Sequence, residues 1–119
     1  VEGAAAPEEA GRELEQRARR AERGAQREEV LAALDILASW YRDLVVVGAG
    51  AAEAAMNCDR LAELGEDAQP DLAVRAAGAA ATARDVWRSF EFNVQTGLAL
   101  EALFVRLRRE LTGPLGEVT

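Results

Sequence analysis

The chain has 119 residues, of which half are apolar and only 5% aromatic, and its 14 basic and 21 acidic side chains give a net charge of -7. This length suits one domain of about 100–150 residues, and an alanine-rich, aromatic-poor composition favours closely packed helices. One cysteine and no histidine exclude a disulfide framework, a zinc finger and a Cys–His catalytic pair within the chain, and the negative charge argues against a general nucleic-acid surface.

The first half of the chain predicts two helices. We expect residues 1–7 to be a disordered tail and residues 8–26 to form a polar, charged helix, with Pro7 suited to its start. Gly24 predicts either a kink or a continuation into the next element. Residues 27–47 are expected to form the central helix, because their apolar residues recur at three- and four-residue steps: Val30, Leu34, Leu37, Tyr41 and Leu44.

The second half predicts three more helices. Gly48 and Gly50 are expected to end the central helix, and Asn57 or Asp59 to cap a short helix over residues 59–65 that Gly65 closes. A long helix is expected over residues 71–92 and a last one over 96–111, before a disordered tail over 113–119. The buried face of the last helix is predicted to hold Leu100, Leu103, Phe104, Leu107 and Leu111. The sequence therefore predicts an all-α, single-domain bundle of four to five helices over residues 8–112.

Nothing in the sequence predicts secretion or membrane insertion. No apolar run reaches the roughly 18 residues of a membrane span, and no signal peptide opens the chain. We expect a soluble, cytoplasmic chain. Because it begins with Val1, we also expect it to be a piece of a longer protein.

The strongest candidate for a cofactor site is the stretch VVVGAGAAE, residues 45–53, which is similar to the strand and glycine turn of a dinucleotide-binding fold. Glu53 stands at the third glycine position, and the preceding residues have helical periodicity. The carboxylates and Cys58 lack the partners that a metal site or an activated thiol requires. We therefore predict no cofactor, no metal, no small-molecule ligand and no enzymatic activity.

The segment from Arg12 to Arg27 is locally basic, with six arginines against three glutamates. Two interpretations stay open for it. It contacts nucleic acid or an acidic partner, or its interleaved charges form ion pairs on an exposed helix.

A family resemblance rests on three motifs in order. Trp40-Tyr41-Arg42-Asp43-Leu44 is followed by Asn57-Cys58-Asp59-Arg60, and then by Asn93-Val94 leading into Leu98-Ala99-Leu100-Glu101. Together they resemble the C-terminal domain of delta-prime subunits of the bacterial DNA polymerase III clamp loader, closest to the actinobacterial branch. The resemblance spans about residues 10–111. One departure is Gln95-Thr96, where relatives commonly have Asn-Pro.

The resemblance implies a structural role in DNA replication. Clamp-loader subunits associate through such collar domains, so the implied partners are the gamma/tau and delta subunits, with DNA reached only through the complex. By position, Arg42 and Asp43, which share a motif with Trp40, orient the central helix within the fold, Asn57 and Asp59 shape the turn after it, and Asn93 and Glu101 fix the last helix.

Leu98 and Val105 lie on the side of the last helix opposite its predicted buried stripe, which makes them candidates for a contact with a neighbouring subunit. The main alternative is a stand-alone helical adapter or homo-oligomerisation domain unrelated to replication.

Overall fold

The computed structural model describes residues 6–92 and 94–113 and has four α-helices and no strand among them: α1 (Ala6–Gly48), α2 (Leu61–Asp67), α3 (Pro70–Ser89) and α4 (Thr96–Thr112). Three single 3-10 turns lie between them, at Ala52–Ala54, Cys58–Arg60 and Phe90–Phe92. The prediction of an all-α chain is confirmed.

The first two predicted helices are one helix. α1 runs without interruption through Gly24, where the prediction placed a kink or a continuation. Glycine costs a helix interior about 1 kcal/mol relative to alanine. The surrounding alanine, glutamate, glutamine and arginine residues are good helix formers and tolerate that cost. The helix also begins at Ala6, so the predicted tail over residues 1–7 is wrong for Ala6 and Pro7, while residues 1–5 lie outside the described range.

The contacts divide the chain into two units, with the boundary between Leu31 and Ala32. The bounds of the domain predicted over residues 8–112 stay a prediction. In the first unit, every side chain from Pro7 to Glu29 is exposed to solvent. In the second unit, the remainder of α1 contributes Leu44 to a core cluster with Leu64 of α2 and Ala76 of α3.

The end of α1 is fixed by a Schellman motif. The Ala51 N–H donates to the carbonyl of Val46 and the Gly50 N–H to that of Val47, both at 3.0 Å. Gly50 has a φ of +83°, a left-handed conformation that glycine adopts without steric cost. Gly50 thus ends the helix, as predicted, but Gly48 still belongs to it.

Packing between α3 and α4 forms the other part of the second unit. Small residues of α3 are buried, among them Ala79 and Ala83, which lets the helices approach closely. Facing them, α4 buries Ala99, Leu103 and Leu107. Across the edge of this contact, Arg106 of α4 donates to Asp85 of α3 at 3.1 Å.

Two predicted details, one in α2 and one in α4, are wrong. Gly65 lies inside α2, which ends at Asp67. Phe104, predicted to be buried, is 64% exposed. The buried stripe of α4 follows the four-residue steps from Ala99 to Leu107, and Phe104 is one residue, or about 100°, away from its centre.

Candidate functional site

The carboxylate of Asp43 joins α1 to the segment that follows it. Asp43 is fully buried. Its Oδ1 accepts from the Met56 N–H at 3.0 Å, and its Oδ2 accepts from both the backbone N–H and the side-chain amide of Asn57, each at 2.7 Å. Arg42 donates to Oδ1 at 3.0 Å and to the carbonyl of Ala54 at 2.9 Å. The carboxylate is thus fully satisfied.

Two effects oppose each other at this carboxylate. Burial raises the pKa of Asp43, but the hydrogen bonds from Met56, Asn57 and Arg42 stabilise its charged form and together hold the pKa below its ordinary value. A carboxylate that stays charged and fully bonded is a structural anchor, since a general base needs a free lone pair directed at a substrate.

The core beside this anchor contains two of the aromatic residues. Trp40 and Tyr41 are half-buried and pack against the cluster of Leu44, Leu64 and Ala76. Burial raises the pKa of the Tyr41 hydroxyl. Both rings therefore contribute to the core, which agrees with the position of Trp40 in the central helix.

The structure brings together only some of the predicted site residues. Arg42, Asp43 and Asn57 form one cluster. The side chains of Asp59 and Glu101 are exposed and form no hydrogen bond or ion pair with any other described residue, and Asn93 lies outside the described residues. The prediction that Asn57 caps a helix is wrong, because its side-chain amide donates to Asp43 instead.

Sequence reasoning missed Arg75. From α3, its guanidinium donates to the carbonyls of Glu110 and Gly113 at the end of α4, and its Nε contacts Asp71 at 3.3 Å. A cation at these carbonyls satisfies terminal acceptors and interacts favourably with the helix dipole. No local pattern signals this role, because the capped helix end lies more than 30 residues along the chain.

The outer face of α4 carries an apolar stripe, which we define as Leu98, Ala102 and Val105. All three side chains are exposed, Leu98 by 61% and Val105 by 59%. Steps of four and three residues place them along one side of the helix. Beside Leu98 lies a shallow groove of about 420 Å³, lined also by Ser89, Val94, Gln95 and Ala99. Contiguous exposed apolar side chains are a common feature of protein–protein contact surfaces.

The glycine stretch has no dinucleotide-binding geometry. Val45 to Gly48 are the last residues of α1 rather than a strand, and Ala52–Ala54 is a single 3-10 turn. Over the described residues, no three acidic or cysteine side chains come close enough together to hold a metal ion. None of the described helices is long and apolar enough to cross a membrane.

No protein-family model, curated protein or solved structure matches the chain significantly.

Proposed function

We propose that the chain is a non-catalytic oligomerisation domain that joins other helical subunits through the apolar stripe of α4. The stripe is the observation that carries this proposal. Isolated exposed apolar residues are common on protein surfaces, but three in register on one helix face form a contiguous patch. A small residue such as Ala102 between two larger ones allows a side chain of a partner helix to pack between them.

The position of the stripe suits an interface. On the side opposite the stripe, α4 buries Leu103 and Leu107. At its C-terminal end, the carbonyls of Glu110 and Gly113 accept hydrogen bonds from Arg75. A surface on a rigid element loses little conformational entropy on binding. The stripe is therefore presented in a form ready for association.

The resemblance supplies the finer proposal, which names the partners. The chain is a collar-type domain of a delta-prime-like clamp-loader subunit, acting in the cytoplasm, and it binds the gamma/tau and delta subunits. In this role it helps to assemble the loader that places the sliding clamp on DNA. The motif residues Arg42, Asp43 and Asn57 then maintain the fold, while the stripe makes the contact.

A pull-down with purified gamma/tau and delta subunits tests both levels. The wild-type chain should retain these subunits. A double variant, Leu98→Asp with Val105→Asp, should lose them, because two carboxylates cannot be buried without partners. The matched control is Ile36→Asp with Val74→Asp, two apolar residues that are each 66% exposed elsewhere in the second unit, and it should bind like the wild type.

Three results would count against the proposal. If the wild type captures neither subunit, the clamp-loader assignment is wrong. Equal losses in the stripe variant and the control would show that the stripe is not the interface. Self-association of the wild type that the stripe variant abolishes, without any subunit capture, would identify a homo-oligomerisation domain instead.

A further inference from the structure

The exposed first part of α1 carries a row of arginines on one side. At about 3.6 residues per turn, these arginines fall within an arc of roughly 100°, which among the carboxylates of residues 7–29 only Glu9, one turn before Arg12, shares. Glu13, Glu15 and Glu22 lie outside it. We call this set the arginine face, and it consists of Arg12, Arg19, Arg20, Arg23 and Arg27.

The arginine face is costly for an isolated helix. Arg19 and Arg23 are four residues apart, so their like charges lie one turn apart, and such pairs weaken a helix. Glu15 contacts Arg19 at 3.8 Å, with both side chains 70% exposed, which is a weak, solvent-screened ion pair. Arg20 and Arg23 have no carboxylate three or four residues away on the helix that would offset this repulsion. Their segregation to one side therefore indicates a negatively charged partner.

The length of the face favours an extended polyanion, such as a phosphate backbone, over a single anionic group. Guanidinium groups bind phosphate oxygens with two parallel hydrogen bonds. The face extends about 22 Å, from the 15 residues between Arg12 and Arg27 at 1.5 Å each, which matches an extended polyanion with regularly spaced charges. A membrane surface is a poor fit, because membrane-binding helices need an apolar face beside the basic one, and Leu14 is the single large apolar residue from Pro7 to Glu29.

The glutamates on either side of the face restrict how the helix lies. Inside a DNA groove they would meet phosphates on both walls and be repelled. When the helix lies across a single phosphate backbone instead, the arginine face is turned toward the phosphates and Glu13, Glu15 and Glu22 are turned away from them. The net charge of -7 does not prevent this contact, because at 0.1 M salt charges more than about 10 Å away are largely screened.

We propose that the arginine face of α1 binds the phosphate backbone of duplex nucleic acid, without reading its sequence. Such a contact goes beyond the subunit contacts of α4, since it gives the chain a direct contact of its own with nucleic acid. Binding of this kind depends on counterion release, so the logarithm of the association constant falls by about 0.9 per phosphate contact for each tenfold rise in salt.

Fluorescence anisotropy of a labelled 30-base-pair DNA duplex of arbitrary sequence, titrated with the full chain at several salt concentrations, tests the proposal. With four to five contacts, the wild type should show a logarithmic salt slope of roughly -3.6 to -4.5. Arg19→Gln with Arg23→Gln should weaken binding at least about tenfold at low salt and reduce the slope by about two. Glutamine preserves helix propensity, and circular dichroism should show an unchanged helix content.

The matched control removes the same charge elsewhere. Arg17 lies on α1 outside the arginine face, and Arg84 is exposed on α3, so Arg17→Gln with Arg84→Gln should bind within about twofold of the wild type. A second duplex of unrelated sequence should bind equally well. The proposal fails if the wild type does not bind duplex DNA at low salt, or if both double variants lose the same affinity. It also fails if the face binds vesicles containing phosphatidylserine but not DNA.

Discussion

The buried carboxylate of Asp43 binds Asn57 twice, through the backbone N–H and the side-chain amide, each at 2.7 Å. These bonds join residues 14 positions apart and hold the segment after α1 against that helix. Because the same carboxylate also accepts from Met56 and Arg42, one side chain satisfies three residues of the chain. Removing it leaves the backbone N–H groups of Met56 and Asn57 without this acceptor.

We predict that Asp43→Ala destabilises the fold by about 3 kcal/mol, since the loss of a buried, charged acceptor leaves several donors unsatisfied. The free energy of unfolding should be measured by urea denaturation followed by circular dichroism. Asp59→Ala is the control, because Asp59 is exposed and lies in the turn next to Asn57. It should change the stability by less than about 0.5 kcal/mol. Equal effects of the two variants would show that Asp43 is not an anchor.

The lowered pKa of Asp43 predicts an acid-dependent stability. A carboxyl whose folded-state pKa lies below its unfolded value of about 3.9 stabilises the fold fully above that value. This contribution decreases below about pH 4 and is lost as the pH falls through the lower folded-state pKa. The difference in unfolding free energy between the wild type and Asp43→Asn, measured from pH 7 to pH 2, should therefore be constant at neutral pH and shrink in acid. A difference that does not depend on pH would contradict the prediction.

Local sequence patterns predicted the helical class and the end of α1 at Gly50, because hydrophobic periodicity and the conformational freedom of glycine act within a few residues. They did not predict the role of Asn57. A cap is the local option for that side chain, whereas the acceptor that it uses in the fold comes from an earlier helix. Arg75 escaped prediction for the same reason, since the carbonyls it binds belong to α4.

Phe104 shows a different limit of sequence patterns. It and Leu103 both fit an apolar periodicity, and the orientation of α4 against α3 decides which of them is buried. The small residues of α3 and the burial of Leu107 set that orientation, and together they place Leu103 rather than Phe104 against α3. The exposure of Leu98 and Val105 was easier to predict, because both lie on the side of α4 away from Leu103 and Leu107.

Two glycines should respond in opposite ways to replacement by alanine. A Cβ added at Gly48 would lie 2.6 Å from the Cβ of Ala73 on α3, so the two helices must move apart. We expect Gly48→Ala to destabilise the fold by about 1–2 kcal/mol.

At Gly78 the added atom meets the carboxylate of Glu110, a flexible side chain that can turn away. Gly78→Ala should be neutral or stabilising by up to about 1 kcal/mol, since alanine favours the helix. In thermal unfolding, Gly48→Ala should therefore lower the midpoint temperature, and Gly78→Ala should raise it or leave it unchanged. A midpoint that falls further for Gly78→Ala than for Gly48→Ala would contradict the packing described for α3.

Arg75 should stabilise the last turn of α4 more than the rest of the molecule. Arg75→Met keeps much of the aliphatic stem but removes the charge and the donors to Glu110 and Gly113. We expect a loss of about 1–2 kcal/mol, the sum of a charge-assisted hydrogen bond and a helix-dipole interaction. Hydrogen exchange should show faster exchange at the amides of the last turn of α4, whereas the amides near Leu64 should change less.

Asp71→Asn serves as the control, because Asp71 is largely exposed and its ion pair with Arg75 contributes at most about 1 kcal/mol. If that control accelerates exchange in α4 as strongly as Arg75→Met, the stabilisation comes from the ion pair within α3 and not from the contact of Arg75 with the α4 carbonyls.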